Sequence, residues 1–175
     1  MVEYSALNPK LICRMKEGIF MFRNMRRSDK AITEKEALDL LAKGEYGILS
    51  TVGENGYAYG VPLSYCFRDG NIYFHAATEG LKIDNILFNN KVCFTVVGNT
   101  KLLPEQFSTN YESVIAFGKA SIVEDDEKIQ GLKFIIEKYS PEFLKSGLEY
   151  IERAQSATKV IKIEVEKITG KAGKK

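Results

Sequence analysis

The chain has 175 residues, of which 45% are hydrophobic and 27% charged, enough to bury the core of one ordinary domain and too apolar for a disordered chain. Its net charge is +2, but residues 1–30 hold seven Lys or Arg against three Asp or Glu; the other 145 residues carry 18 basic and 20 acidic side chains, a balance that excludes the basic footprint of a nucleic-acid-binding domain. No apolar run is long enough to span a bilayer, which argues against a helical membrane protein.

The stretch from Leu11 to Met25 is interrupted by Arg14, Lys16, Glu17, Arg23 and Asn24, a poor signal peptide. Cys13, Cys66 and Cys93 are odd in number and lack Cys-x-x-Cys spacing. They read as reduced thiols of a cytoplasmic protein, not as a disulfide framework or a zinc site. Lys16-Glu17-Gly18 can be encoded by AAG-GAG-GGN, which contains a bacterial ribosome-binding sequence, and Met21 follows at a suitable spacing. Translation is therefore expected to start at Met21, leaving residues 1–20 as an extension and 21–175 as a single domain.

Thr33-Glu34-Lys35-Glu36 has the form of a capping box, so a helix is expected from there, with Leu38 and Leu41 on its apolar face and Gly44 as its stop. Strands follow. Tyr46–Val52 is the first, Asn55-Gly56 lies in a turn, and Tyr57–Phe67 is the second. Asp69-Gly70 tolerates the positive φ of a tight hairpin, and Ile72–Ala77 returns antiparallel. A short helix is expected over Gly80–Asn89. Val92–Val97 is a continuous apolar run, read as a buried strand. Ser113–Val123 is a fifth strand. Asp126–Tyr139 has helical spacing of Ile129, Leu132, Ile135 and Ile136. Ser140-Pro141 resembles an N-cap with proline at the first position of another helix, towards Arg153. Val160–Ile168 alternates dry and wet positions as the last strand. Six strands with tight hairpins predict a mainly β fold, an antiparallel barrel closed or nearly closed, with flanking helices.

The second strand is unusual. Tyr57, Tyr59, Val61, Leu63, Tyr65 and Phe67 are large, whereas Ala58, Gly60, Pro62, Ser64 and Cys66 are small. One face can fill a core; the other is low enough for a planar group to lie against the backbone, or for a helix or subunit to press on it. Pro62, without an N–H, predicts an edge or a bulge. Further on, the strand ending in His75-Ala76-Ala77 runs through a short loop into a helix near Lys82. A helix start offers free N–H groups and a positive dipole end, and a lysine in its first turn adds a cation, a combination suited to a phosphate monoester. His75 is the only histidine, which leaves no metal-ligand cluster, and no Gly-x-Ser-x-Gly elbow is present.

Gly56–Tyr65, Ile72–Ala77 and Gly80–Ile86 resemble the nitroimidazole-resistance (Nim) family of the pyridoxamine-phosphate-oxidase-like FMN-binding split barrels. Tyr111–Ala120 and Ile168–Ala172 extend the likeness to roughly residues 21–173. The resemblance implies a split-barrel homodimer with FMN at the subunit interface. By position, Gly60, Val61, Pro62, Leu63 and Ser64 would line the flavin. His75, Ala76 and Ala77 would give backbone contacts, Leu81 and Lys82 would start the phosphate-binding helix with Lys82 on the phosphate, and Ser113 would approach from the adjoining strand. His75 matches the histidine linked with catalysis. Where the oxidase branch has phosphate-binding arginines this chain has Gly60 and Leu81, which weighs against true pyridoxamine-phosphate oxidase activity. The expected activity is FMN-dependent reduction of a nitroaromatic or similar acceptor by a reduced nicotinamide. A haem- or deazaflavin-binding barrel and a flavin-binding module without turnover are the alternatives.

Overall fold

The computed structural model describes residues 22–173, so the expected start at Met21 and Cys13 lie outside the described residues. Helix α1 (Glu34–Lys43) opens on the expected capping box. The Thr33 hydroxyl accepts the Glu36 N–H at 3.3 Å and the Glu36 carboxylate accepts the Thr33 N–H at 2.8 Å. Gly44 ends the helix, but not by a left-handed turn, since its φ is −54°. A Cβ there would lie 2.4 Å from Val96 Cγ1 and 2.7 Å from the Tyr65 hydroxyl. Glycine is needed at this position for close packing, not for conformational freedom.

Seven strands follow among the described residues: β1 (Gly47–Val52), β2 (Ala58–Leu63), β3 (Cys66–Arg68), β4 (Asn71–Ala77), β5 (Lys91–Leu103), β6 (Ser108–Val123) and β7 (Thr158–Gly173). The sequence predicts six. The seventh arises because the strand expected over Tyr57–Phe67 breaks at Ser64-Tyr65. There the Tyr65 N–H and carbonyl bond the Tyr139 hydroxyl, and neither Ser64 nor Tyr65 pairs with a neighbouring strand. The tight turn stands as expected: Asp69 (φ 52°) and Gly70 (φ 77°) link β3 to β4. Val92–Val97 lies within β5 but alternates, with Val92, Phe94 and Val96 buried and Val97 exposed.

The strands form one antiparallel sheet in the order β2-β1-β5-β6-β7-β4-β3. β2 and β3 stand at opposite ends of that order, yet only Ser64 and Tyr65 separate them in the chain. The two edges of the sheet therefore meet at this dipeptide, and the sheet curls into a barrel. It remains open along one seam, because β2 pairs only with β1 and Phe74–Ala77 pair only with β7. The fold is a mainly β split barrel with flanking helices.

Leu49, Tyr65, Ile72, Phe74, Phe94, Val96, Val114, Ile161 and Ile163 fill the interior with no exposed surface. Tyr65 meets Phe94 edge-on at 4.7 Å between ring centroids. Helix α2 (Leu81–Phe88) seats Ile83 and Ile86 in this core and ties itself to β1 by a buried bond from Asn85 Nδ2 to Thr51 Oγ1 at 2.9 Å. Helix α3 (Asp125–Tyr139) lies outside β3, β4 and β7, held by Tyr73 against Phe134 and by the Arg68–Glu137 and Lys162–Glu127 pairs at 3.0 and 2.8 Å. Helix α4 (Leu144–Ala154) packs on α3. It starts later than the sequence predicts. The Phe143 N–H bonds the Ser140 carbonyl at 2.9 Å, so Pro141–Phe143 form a 3-10 turn first, and the Ser140 side chain caps nothing. No helix among the described residues is long and apolar enough to cross a membrane.

Candidate functional site

The seam places most of the predicted residues. One lip is the free edge of β2, which carries Gly60, Val61, Pro62 and Leu63; the other is the free edge of β4 at His75, Ala76 and Ala77. Pro62 sits on an edge strand, as its missing N–H requires. On β2 the small residues Ala58, Gly60 and Pro62 are exposed, while Tyr59, Val61 and Leu63 are half-buried, with Val61 and Leu63 packed on the core. Gly60 adds no relief, since a Cβ there would meet only Ile48 Cγ2, at 3.6 Å. The low face anticipated for this strand is present and open.

A knot of side chains holds the seam at its apex. The Tyr139 hydroxyl accepts the Tyr65 N–H at 2.9 Å and has the Tyr65 and Glu45 carbonyls at 2.9 and 2.6 Å as acceptors. It thus replaces the ladder bonds that the strand break removes. Lys138 donates to the Gly44 carbonyl at 2.7 Å and lies 3.9 Å from the Tyr65 ring centroid. The Tyr65 hydroxyl donates to the Leu41 carbonyl. Nothing local in the sequence marks Tyr139 or Lys138, whose partners are 74 and 94 residues away.

Burial, with Tyr139 and Cys66 adding to it, pushes the Tyr65 phenol well above its ordinary value of 10. The unfolded chain then releases this proton first. The linked stability is intact below pH 10 and falls as pH rises above it, by at most ~1.4 kcal/mol per pH unit. Lys138, lowered by burial, contributes with the opposite sign, and only up to its ordinary value of 10.5. Tyr73, also raised by burial, adds a smaller loss of the same sign as Tyr65. Urea unfolding above pH 10.5 is therefore expected to lose stability more steeply in the wild type than in Tyr65→Phe. Equal slopes would show that Tyr65 keeps no proton on folding.

Three residues after β4, α2 begins. Gly80 accepts the Ile83 and Asp84 N–H groups at 2.8 and 3.1 Å, so those of Leu81 and Lys82 have no partner within the helix. Lys82 is half-buried and makes no ion pair or side-chain hydrogen bond among the described residues. Leu81 is half exposed, beside the Gly53–Asn55 turn and Phe88. Thus an unpaired cation and unpaired N–H groups stand at the end of the β4 lip, as the sequence predicts.

Three residues are placed less simply. Ala76 points into the core, so only its backbone can meet a ligand. The His75 side chain lies on the outer face of β4 with Tyr73, against α3 and α4, and makes no hydrogen bond among the described residues. Ser113 shares the outer face with Ile115, but β1 and β5 separate it from β2, and β7 separates it from β4. It is not on a strand adjoining either lip of its own chain. Among the described residues no cluster of His, Cys, Asp and Glu could hold a metal ion.

Residues 33–172 match the protein family described as pyridoxamine 5′-phosphate oxidase. No curated protein matches the chain. Among solved structures, a candidate 5-nitroimidazole antibiotic resistance protein from Bacteroides thetaiotaomicron is 27% identical at a TM-score of 0.70, over 81% of this chain and 86% of that one. An FAD-binding protein from Mesorhizobium loti is 19% identical at 0.59, over 83% and 98%. An FAD and haem binding protein from Mycobacterium smegmatis is 17% identical at 0.69, over 83% and 74%. The last two likenesses are of fold.

Proposed function

Because the chain belongs to the pyridoxamine 5′-phosphate oxidase family, we propose that it is a cytoplasmic FMN-binding homodimer that passes electrons from a reduced nicotinamide to a nitroaromatic or similar small acceptor. One observation carries the reading: Lys82, a cation unpaired among the described residues, stands at a helix start just beyond the end of the β4 lip of an open seam. These residues fit FMN. Lys82 and the first N–H groups of α2 suit its phosphate monoester. The low face at Gly60 and Pro62 suits a planar ring, and the edge of His75–Ala77 that faces away from β7 offers backbone donors and acceptors between the two. FMN, when bound, supplies the two-electron redox chemistry that the side chains lack.

The protein orients the cofactor, excludes water from it and delivers a proton. The His75 imidazole, without a hydrogen-bond partner among the described residues, is the group to protonate the reduced acceptor. Likeness to the 5-nitroimidazole resistance candidate supports the acceptor class. For the assembly, the outer sheet face bears exposed Val97 (52%) and Ile115 (36%) with Ser113 between them in the same region. A twofold partner would cover this face and bring Ser113 towards the other chain's flavin.

Titration of the purified protein is expected to show FMN binding in preference to FAD, since a monoester phosphate ends the molecule at Lys82. The bound flavin spectrum should bleach on adding a reduced nicotinamide, and sedimentation should give a two-chain mass. Absence of FMN affinity would overturn the reading, and a haem spectrum on purification would replace it. A monomer that retains FMN would remove the twofold partner from it.

A further inference from the structure

His75 lines a groove of about 250 Å³ between β4, α3 and α4. Leu132, Ile135, Ile136, Tyr150 and Ile151 form apolar walls, and Ala154 leaves the space beside them unfilled. The polar residues of its lining are His75, Gln155 and Thr158, besides the Tyr150 hydroxyl. Thr158 pairs with Ala77 and Val160 with His75, so His75 and Thr158 are diagonal neighbours on one sheet face. Tyr150 is 63% exposed although it borders the groove, so its ring is available to stack on a guest.

We infer that this groove is the acceptor subsite, taking a single-ring aromatic whose nitro or other oxygen-bearing group faces His75. The inference rests on the proposed flavin site, to which the groove is joined through His75, a member of the β4 lip. Its volume decides the size class. At about 250 Å³ it lies below the ~300–1,000 Å³ of pockets for drug-sized ligands, so one ring with small substituents fills it. The chemistry decides the orientation. The apolar walls offer the ring its burial, and the unpartnered imidazole is the donor for an oxygen at the end nearest the seam. Tyr150 and Ala154 then set which rings enter, a role separate from holding the flavin phosphate at Lys82.

The test uses 4-nitrobenzyl alcohol as probe and isoleucine-methyl NMR of the full chain, with and without FMN. The probe should shift the methyls of Ile135, Ile136 and Ile151 and leave those of Ile72 and Ile163, in the barrel interior, unmoved. Ala154→Trp, which fills the groove, should raise the probe's Kd and the KM for its reduction roughly tenfold or more, about 1.4 kcal/mol, with FMN affinity unchanged. Tyr150→Ala, a change at an exposed side chain, should weaken the probe severalfold and serves if the tryptophan variant misfolds. Methyl shifts elsewhere, or an unchanged probe Kd in both variants, would overturn the inference while FMN binding stood. Shifts at the groove methyls in a chain that binds no FMN would keep the groove and discard the flavin reading.

Discussion

Replacing His75 with alanine is expected to slow acceptor reduction by about a hundredfold or more while FMN stays bound. A positioned general acid contributes on the order of 10²–10⁴ in rate, and no second histidine exists in the chain to take over. The imidazole is not committed to the fold, for it has no hydrogen-bond partner among the described residues and lies on the outer face of β4. The contacts proposed between this residue and FMN are from its backbone, which alanine keeps, as it keeps the pairing with Val160. Binding and chemistry should therefore separate cleanly. Stopped-flow mixing of the flavin-loaded, pre-reduced variant with a nitroaromatic reads the step directly. A wild-type rate would take His75 out of the chemistry and leave its imidazole a structural part of the groove.

Lys82→Ala is expected to weaken FMN binding tenfold or more, as loss of one charge-assisted contact of about 1.5–3 kcal/mol implies. Lys82 has no carboxylate partner among the described residues, so its removal orphans no buried charge and should leave urea stability within about 0.5 kcal/mol of wild type. The signature is loss of affinity without loss of fold. Its salt dependence gives a second measure: the FMN dissociation constant of the wild type should rise with ionic strength more steeply than that of the variant. Calorimetric titration at two salt concentrations checks both. An unchanged affinity would return Lys82 to the solvated surface.

What the sequence made legible was local. Thr33 and Glu36 declare a helix start within four residues, Asp69-Gly70 a hairpin within two, and Pro62 an edge through the bond it cannot make. The β4–loop–α2 passage to Lys82 is likewise written in consecutive residues. The errors lie where distant parts decide. Ser64-Tyr65 interrupts a run that alternates well enough for one strand, because Tyr65 turns inward to meet Leu41, Phe94 and Tyr139. Gly44 is the helix stop it looked like, but the reason for glycine there is distant: it admits Val96 and Tyr65. Ser113, placed near the flavin by resemblance, lies strands away from both lips of its own chain, a separation that the strand order of the whole sheet sets and the segment does not show.

The order of the strands also dictates when the site can exist. The hairpins β1–β2 and β3–β4 are adjacent in the chain and could form early, but they belong to opposite ends of the sheet. Only β7, the last strand, connects β4 to β6. Its pairing with β4 spans about half the chain, the kind of long-range contact that forms late and slowly. A nascent chain still lacking its final sixteen-residue strand therefore has both lips but nothing to hold them in register, and its unpaired edges stand open to other chains. The seam has no fixed shape until β7 has paired, so anything taken up there follows the closing of the sheet and does not guide it.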